Sequence, residues 1–138
     1  MQWDASPNAG FTDGTPWIAA NPNHDRINAA EQLGDPDSIF EYYRRLIALR
    51  HERAVVADGS FERADAGHPA IFAFERVLGA DRLLVVANLS PAEHVPAFAA
   101  EVAERWRGAR VLLTNGADAA ASVEAPLAPW EARVSEPA

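Results

Sequence analysis

Residues 70–88, AIFAFERVLGADRLLVVAN, hold two apolar runs on either side of a glycine-containing connection. Both runs, 71–74 and 83–86, are rich in β-branched and aromatic residues, which is the composition typical of strands. A short connection of this kind favours an antiparallel hairpin. We therefore predict that residues 70–77 pair with residues 82–88 and that an antiparallel sheet surrounds this hairpin.

Other short apolar runs extend the pattern on both sides. Residues 55–57 and 111–113 are aliphatic and bounded by turns, so each predicts a strand. Residues 130–134 alternate and predict a closing strand, whereas the alanine-rich residues 99–106 predict a short helix. A low-complexity loop is predicted at 117–121. This half of the chain is thus predicted to form an antiparallel β-sandwich-like domain.

A long amphipathic helix is predicted upstream of the strands. Asp35 can cap free N–H groups, and Pro36 suits the first helical position. Apolar residues then recur at helical spacing to about Arg53, and charged residues hold the other side. Such a helix is built to lie on a large apolar surface. Its apolar stripe consists of Ile39, Phe40, Tyr42, Tyr43, Leu46, Ile47 and Leu49.

The first 34 residues are rich in Asn, Pro, Gly and Asp, which favour turns. A loop of this length is uncommon inside a compact domain and is usually functional or packed on another surface. We therefore expect this segment to need a partner surface.

Composition excludes several classes of function. A net charge of −8 and a pI of about 4.9 disfavour binding to nucleic acid or anionic membranes. The absence of cysteine excludes disulfides and thiolate chemistry. No apolar run approaches the roughly 20 residues of a membrane helix, and the N-terminus lacks signal-peptide features, so we expect a cytoplasmic protein. A chain of 138 residues is also too short for a complete (β/α)8 barrel enzyme.

A set of short motifs runs through the chain in a fixed order. They are Met1-Gln2-Trp3-Asp4, Asn8-Ala9-Gly10-Phe11-Thr12, Thr15-Pro16-Trp17-Ile18, Asn21-Pro22-Asn23, Ile27-Asn28, Asp35-Pro36-Asp37-Ser38-Ile39-Phe40, Tyr43-Arg44-Arg45-Leu46-Ile47, Leu49-Arg50 and Leu84-Val85-Val86-Ala87-Asn88-Leu89-Ser90. In this order and spacing, the chain resembles the C-terminal portion of the α-glucosidase and oligo-1,6-glucosidase branch of the α-amylase family.

The resemblance implies both a fold and a function. Residues 1–54 would be the last loop and helix of a (β/α)8 barrel, and residues 55–138 the C-terminal antiparallel β domain. The parent enzymes are glycoside hydrolases that cleave α-glucosidic bonds in malto- or isomalto-oligosaccharides, and no cofactor is implied. Their Arg-Thr-Pro segment and catalytic carboxylates lie upstream of the Met-Gln-Trp motif and are missing here. We therefore expect a fragment that is inactive alone, and its linkage preference stays open.

Acidic residues in the loop do not predict a catalytic pair. Retaining glycoside hydrolysis needs two carboxylates held about 5–5.5 Å apart on a rigid frame. The candidates Asp4, Asp13, Asp25 and Glu31 are not placed by a predicted barrel strand, and the matching family positions are not catalytic. We interpret them as turn and cap residues and predict no catalytic residue in this chain.

Three aromatic residues, Trp3, Phe11 and Trp17, are candidates for the substrate rim. Aromatic faces pack against sugar rings, and this loop would lie at the C-terminal mouth of a barrel, where active sites form. The alternative is that these side chains anchor the loop by packing beneath it.

The partner predictions follow from the helix. Ile39, Tyr43, Leu46 and Ile47 are expected to pack on a barrel domain or on a separately encoded barrel chain that this chain completes. The alternative is a non-catalytic β module that binds an oligosaccharide or a protein partner.

Three further residue patterns are better explained by structural roles than by a functional site. Ser60, Asp65 and His68 could be written as a hydrolase triad but lack a nucleophile elbow. Asn88-Leu89-Ser90 fits a glycosylation pattern, although a strand end explains it as well. No metal site is predicted, because the histidines lack helical metal spacing and cysteine partners. These histidines are His24, His51, His68 and His94.

Overall fold

The computed structural model describes residues 1–65, 67–116 and 122–138. The chain divides into two compact units, an N-terminal unit, Met1–Ile47, and a C-terminal unit, Ala48–Ala138. The domain boundary predicted at residue 54 stays a prediction. The predicted mixture of a long loop, a helix and an antiparallel sheet is confirmed. The helices are α1 (Ala29–Gln32), α2 (Ile39–Glu52), α3 (Ala54–Asp58) and α4 (Ala100–Arg105), and the strands are β1 (Ser60–Arg63), β2 (Ile71–Leu78), β3 (Asp81–Asn88), β4 (Arg110–Thr114) and β5 (Ala132–Glu136).

The N-terminal unit is mostly loop, and backbone hydrogen bonds join its first residues to α1. The amides of Ala29 and Ala30 donate to the carbonyls of Gln2 and Trp3, each at 2.9 Å. Asn28 caps α1, because its Oδ1 accepts a hydrogen bond from the Glu31 amide at 3.0 Å. The first residues and α1 are thus fixed against each other.

The long helix α2 begins at Ile39, so the predicted start at Asp35 is wrong. Asp35 Oδ1 instead accepts a hydrogen bond from the Asp37 amide at 3.0 Å and closes a turn ahead of the helix. The capping residue is Ser38, whose Oγ accepts from the Glu41 amide at 3.2 Å. A serine three residues ahead of a glutamate is the usual N-terminal capping pattern, and it outweighs the Asp-Pro pair here.

The strands that the structure describes form one five-stranded sheet in the order β1-β2-β3-β5-β4, with every pair antiparallel. The predicted hairpin is confirmed, and its last pair is Leu78 with Asp81. The predicted strands near 111–113 and 130–134 correspond to β4 and β5, and the helix predicted at 99–106 corresponds to α4. The loop predicted at 117–121 lies outside the described residues.

Two features of the C-terminal unit differ from the sequence predictions. The strand predicted at 55–57 is wrong, because these residues lie in α3 and Val55 is buried. A short aliphatic run suits a buried helix as well as a strand, and periodicity alone does not separate them. The edge strand β1 was missed because its SFER sequence has no apolar run and every residue in it is exposed.

The main cluster of buried apolar side chains lies on one face of the sheet. Its buried side chains include Ile71, Ala73, Leu84 and Val86 from the hairpin, together with Trp106, Val123 and Leu127 from the segments that cover this face. We call this the inner face. It also holds Glu75, which is 2% exposed and accepts hydrogen bonds from Arg82, Arg105 and the Trp106 indole.

Candidate functional site

The N-terminal unit contains a left-handed turn made of three consecutive residues. Asn8, Ala9 and Gly10 have φ of 58°, 56° and 65°. Such angles are uncommon for residues other than glycine, so the surroundings must hold the turn in place. The Ala9 carbonyl accepts from the Trp3 amide at 2.9 Å, and Asn8 Nδ2 donates to the Thr12 carbonyl at 3.0 Å. The turn therefore has a fixed shape beneath the neighbouring aromatic residues.

Asp4 closes this turn and is not arranged as a proton donor. Its Oδ1 accepts hydrogen bonds from the Ser6 amide and hydroxyl, and these bonds lower the pKa of Asp4. A Cβ on Gly10 would lie 2.7 Å from the Asp4 carboxylate oxygens, so the carboxylate packs directly on the glycine. The carboxylate acts as a hydrogen-bond acceptor that shapes the loop.

The three aromatic residues proposed for the substrate rim all project from this loop. Trp17 is 95% exposed, and Trp3 and Phe11 are also exposed. Sugar contact and packing beneath the loop therefore both stay predictions for these residues. Phe11 lines a cavity of about 290 Å³ together with Gln2, Asn8 and Asn21. Trp3 and Trp17 do not line this cavity.

A larger cavity of about 500 Å³ lies between the first residues, the α1 segment and the start of α2. Its lining includes Met1, Ile27, Ile39, Phe40 and Tyr43, and each of these side chains is exposed. Sequence reasoning identified the three α2 residues from their helical spacing. It missed Met1 and Ile27, because isolated apolar residues in a loop carry no periodic pattern.

The apolar stripe of α2 is uncovered in the described structure. Ile39 is 73% exposed, Tyr43 and Ile47 are exposed, and Leu46 is half-buried. We call these four residues the α2 face. Its position beside the larger cavity makes one apolar surface within the N-terminal unit, of a size that soluble domains usually keep covered.

The chemistry available at these cavities is binding without hydrolysis. None of the described residues that line either cavity is Asp or Glu. The polar groups are amides, such as those of Gln2, Asn28 and Gln32 at the larger cavity. Amides and aromatic rings can orient a sugar, but they supply neither a nucleophile nor a proton donor for glycoside cleavage.

Several acids of the C-terminal unit are engaged in ion pairs, among them Asp65 and Glu136. Arg63 binds Asp65 through Nε at 2.8 Å and holds the pKa of Asp65 at about 2. Burial alone would raise the pKa of Glu136, but hydrogen bonds from Arg110 and Arg53 outweigh it and lower that pKa. These carboxylates are therefore ionised structural groups.

The structure does not assemble a triad from Ser60, Asp65 and His68. Ser60 Oγ donates to Glu62, and Asp65 pairs with Arg63. His68 Nδ1 accepts from the amides of Ala70 and Ile71, at 3.1 and 3.2 Å. None of the three residues is bonded to another in these contacts.

The histidine rings of His68 and His94 lie edge to face, with centroids 4.8 Å apart, a proximity that the sequence did not predict. His68 Nδ1 accepts hydrogen bonds from two backbone amides, so this nitrogen is already engaged. No group of three or more His, Asp or Glu residues suited to a metal ion occurs in residues 1–65, 67–116 and 122–138.

Asn88 is buried at the end of β3 and serves the fold. Its Nδ2 donates to the carbonyls of Ala92 and Ala128, and its Oδ1 accepts from Ser90. The amide nitrogen that glycosylation would need is therefore engaged.

Across the described parts of the chain, no helix has the length and apolar character that a membrane crossing requires.

Comparison with known proteins places this chain beside one family. Residues 1–59 match the family model of the α-amylase catalytic domain. The chain is 41% identical over 136 residues to the oligo-1,6-glucosidase of Parageobacillus thermoglucosidasius, covering 97% of this chain and 24% of that protein. It is 42% identical over 132 residues to the glucan 1,6-α-glucosidase of Streptococcus pneumoniae serotype 4, covering 96% and 23%.

The structural likeness extends over nearly the whole chain. The crystal structure of trehalose-6-phosphate hydrolase from Bacillus licheniformis aligns with a TM-score of 0.86 at 33% identity, covering 98% of this chain and 24% of that one. The chain thus spans about a quarter of the length of the curated relatives it matches.

Proposed function

Because this chain belongs to the α-amylase family, we propose that it is the C-terminal part of an α-glucosidase that acts on malto- or isomalto-oligosaccharides in carbohydrate metabolism. The observation that carries the proposal is the 41% identity to an oligo-1,6-glucosidase, which extends over 97% of the chain. Both curated relatives described above cleave 1,6-linked glucosides by name, which favours an isomalto-type substrate.

The chain by itself does not hydrolyse glycosides in this proposal. Cleavage needs a nucleophile and an acid/base held about 5–5.5 Å apart. The two cavities described above have no Asp or Glu in their lining, within the part of the chain that the structure describes. Asp4, Asp65 and Glu136 each have a lowered pKa, whereas a general acid requires a raised one. The catalytic pair belongs to the rest of the longer protein.

The α2 face packs against a catalytic barrel in this proposal. Its residues Ile39, Tyr43 and Ile47 expose large apolar side chains on one side of a helix, where water contact is unfavourable. Burial of such a side chain contributes about 1.5–3 kcal/mol, so three of them supply a substantial part of a stable contact. The barrel is either part of the same protein or a separately encoded chain that this one completes.

Trp3, Phe11 and Trp17 form part of the sugar-binding rim in the assembled enzyme. They are exposed on a loop whose turn is fixed by Asp4 and Asn8, so they can contact a ligand with little loss of backbone freedom. The cavity beside Phe11 gives amide groups for hydroxyl recognition.

A mixing experiment tests the proposed function. The purified chain is assayed with isomaltose, maltose and a nitrophenyl α-glucoside, alone and together with the remaining part of the Parageobacillus thermoglucosidasius relative, expressed separately. We expect no turnover by the chain alone and turnover by the mixture. Tyr43→Glu should weaken the association, whereas the matched variant Arg44→Glu, on an exposed residue outside the α2 face, should not. Turnover by the chain alone, abolished by changing one of its own acids, would overturn the proposal.

The second candidate is a carbohydrate-binding module without catalysis, favoured by the exposure of Trp17. Titration calorimetry with malto- and isomalto-oligosaccharides separates the two functions. Saturable binding by the isolated chain that is lost in Trp17→Ala favours the module, whereas no binding until the barrel is added favours the enzyme part.

The cytoplasmic location stays a prediction, which an immunoblot of fractionated cells would check.

A further inference from the structure

The end of β4 carries the one Asn-Gly pair of the sequence, Asn115-Gly116. This pair can react with itself, because a glycine lets its backbone nitrogen approach the preceding side chain closely. The glycine nitrogen loses its proton and attacks the asparagine Cγ, so a C–N bond closes a succinimide ring while the Cγ–Nδ2 bond breaks and ammonia leaves. Water then adds to one of the two ring carbonyls and opens the ring to aspartate or isoaspartate.

In the folded chain, hydrogen bonds engage each of the groups that this reaction uses. The Gly116 amide donates to Thr114 Oγ1 at 2.9 Å. Asn115 Nδ2 donates to the Trp130 carbonyl at 3.0 Å, and Asn115 Oδ1 accepts from the Ala132 amide at 2.7 Å. Ring closure needs the side chain to rotate until Cγ reaches the Gly116 nitrogen. This rotation breaks the bonds to Trp130 and Ala132, so the fold opposes the reaction.

The Asn115 side chain also holds a strained residue in place. Trp130 has a φ of 61°, which is uncommon for a residue other than glycine, and its carbonyl is the acceptor of the Asn115 amide. A carboxylate at position 115 would bring an oxygen without a hydrogen against that carbonyl. Deamidation would therefore replace an attractive link between the end of β4 and the start of β5 by a repulsive contact.

The glycine of the pair is required by packing. A Cβ at Gly116 would lie 2.5 Å from Glu131 Cδ and Oε1. Glu131 is 6% exposed, and its carboxylate accepts from Arg133 Nε at 2.7 Å and from the Ala128 amide at 2.8 Å, so it has no room to move away. Because the link needs asparagine and the packing needs glycine, the fold retains the reactive pair.

We propose that Asn115 is a deamidation site that the folded C-terminal unit protects and that reacts when the joined ends of β4 and β5 open. Segments of a folded protein open locally, and a chemical change in the open state makes that opening irreversible. An opened chain that has reacted cannot restore the bond to the Trp130 carbonyl. The inference concerns the chemical lifetime of this unit and is independent of the proposed function.

The arginines of the chain make the site easy to follow. The sequence has no lysine, so trypsin cuts it after arginine alone and releases residues 111–133 as one peptide. Asn115 is the sole asparagine of this peptide, which has no glutamine, so a gain in mass from NH₂ to OH reports on Asn115. The same digest supplies a matched control, residues 83–105, whose sole side-chain amide is Asn88, followed by Leu89.

The full chain is kept for several days at mildly alkaline pH, with and without enough guanidinium chloride to unfold it, and is then digested and weighed by mass spectrometry. We expect peptide 111–133 to gain mass at least about tenfold faster in the unfolded chain than in the folded chain. Peptide 83–105 should stay unchanged in both. No gain in the unfolded chain, or an equal rate in both states, would overturn the inference.

Two variants of Thr114 test the hydrogen bond to the attacking nitrogen. Thr114→Val removes the acceptor of the Gly116 amide and should speed the reaction of the folded chain by about fivefold, whereas the rate in the unfolded chain should not change. Thr114→Ser keeps the hydroxyl and should keep the slow rate. Equal rates for the two folded variants would contradict the proposed protection.

The consequence of the reaction is tested with a variant that reproduces one product. Asn115→Asp should lower the melting temperature by about 4 °C or more, because the new carboxylate faces the Trp130 carbonyl. Asn115→Ser loses the same bond without adding a charge and should lower the melting temperature less. A melting temperature of Asn115→Asp equal to that of the unchanged chain would overturn the claim that deamidation breaks the link.

Discussion

Trp106 donates its indole N–H to Glu75 Oε1 at 2.9 Å, and this bond ties the residue after α4 to the middle of β2 beneath the sheet. The same carboxylate receives Arg82 at 2.9 Å and Arg105 at 2.7 Å. A carboxylate that is 2% exposed is tolerated here because three donors replace its hydration.

Replacing Glu75 should destabilise the C-terminal unit. Glu75→Gln removes the negative charge that pairs with Arg82 and Arg105. The N–H₂ group of the new glutamine would also face one of the present donors, which cannot accept a hydrogen bond. We expect a loss of about 2 kcal/mol in the free energy of unfolding, measured by urea denaturation followed by tryptophan fluorescence. The control Glu101→Gln, exposed on α4, should change stability by less than about 0.5 kcal/mol. Equal stability of the two variants would show that the buried network contributes nothing.

Gly10→Ala should distort the left-handed turn that supports the aromatic loop. The new Cβ would lie 2.7 Å from Asp4 oxygens, and φ is +65°. The matched control is Gly34→Ala, where φ is +81° but no atom lies within 4 Å. Both variants incur the backbone cost of about 1–2 kcal/mol, and only Gly10→Ala adds the clash. We expect proteolysis to cleave the N-terminal unit of Gly10→Ala faster, and Asp4→Ala in the same chain to restore part of the resistance. Equal cleavage rates for the two alanine variants would contradict the contact.

Ser135→Ala should leave stability unchanged or raise it by up to about 1 kcal/mol. The Ser135 hydroxyl is buried in β5, and among the described residues it has no hydrogen-bond partner. The control is Ser90→Ala, because Ser90 Oγ donates to Asn88 at 2.9 Å and its loss should cost about 1 kcal/mol. Thermal denaturation at neutral pH checks both. A clear loss of stability in Ser135→Ala would mean that the hydroxyl has a partner.

The ion pair between Arg63 and Asp65 predicts acid sensitivity. The folded state lowers the pKa of Asp65 from 3.8 to about 2, so the pair stabilises the fold fully above pH 3.8. As the pH falls from 3.8 towards 2, Asp65 becomes protonated in the unfolded state before it does so in the folded state, and the stabilisation is lost. Asp65→Asn should therefore flatten the fall in melting temperature over this pH window. A melting profile identical to that of the unchanged chain would remove this role for Asp65.

Sequence patterns predicted the elements whose residues alternate or recur regularly. The hairpin of β2 and β3 follows from two β-branched runs around a glycine, and α2 follows from its apolar stripe. The run at 55–57 was misassigned because three aliphatic residues fit both a strand and the buried side of α3.

Features that depend on distant contacts were not accessible from local pattern. Glu75 looks like an ordinary polar residue of a strand, and only the register and the position of Trp106 make it the centre of a network. The proximity of His68 and His94 likewise accompanies the bridge between Asp65 and Phe98, which joins their two segments across more than 30 residues of sequence. The motifs of the loop predicted the family, whereas the exposure of the α2 face depends on packing that no local pattern encodes.

We propose that this chain can serve as the C-terminal quarter of an α-glucosidase. The most direct test replaces the matching residues of the Parageobacillus thermoglucosidasius oligo-1,6-glucosidase with these 138 residues and measures kcat/KM for isomaltose. We expect the chimera to hydrolyse isomaltose with a kcat/KM within about a hundredfold of the parent's, a loss of no more than about 3 kcal/mol in transition-state stabilisation. A folded chimera that is no more active than the parent lacking its final quarter would contradict it.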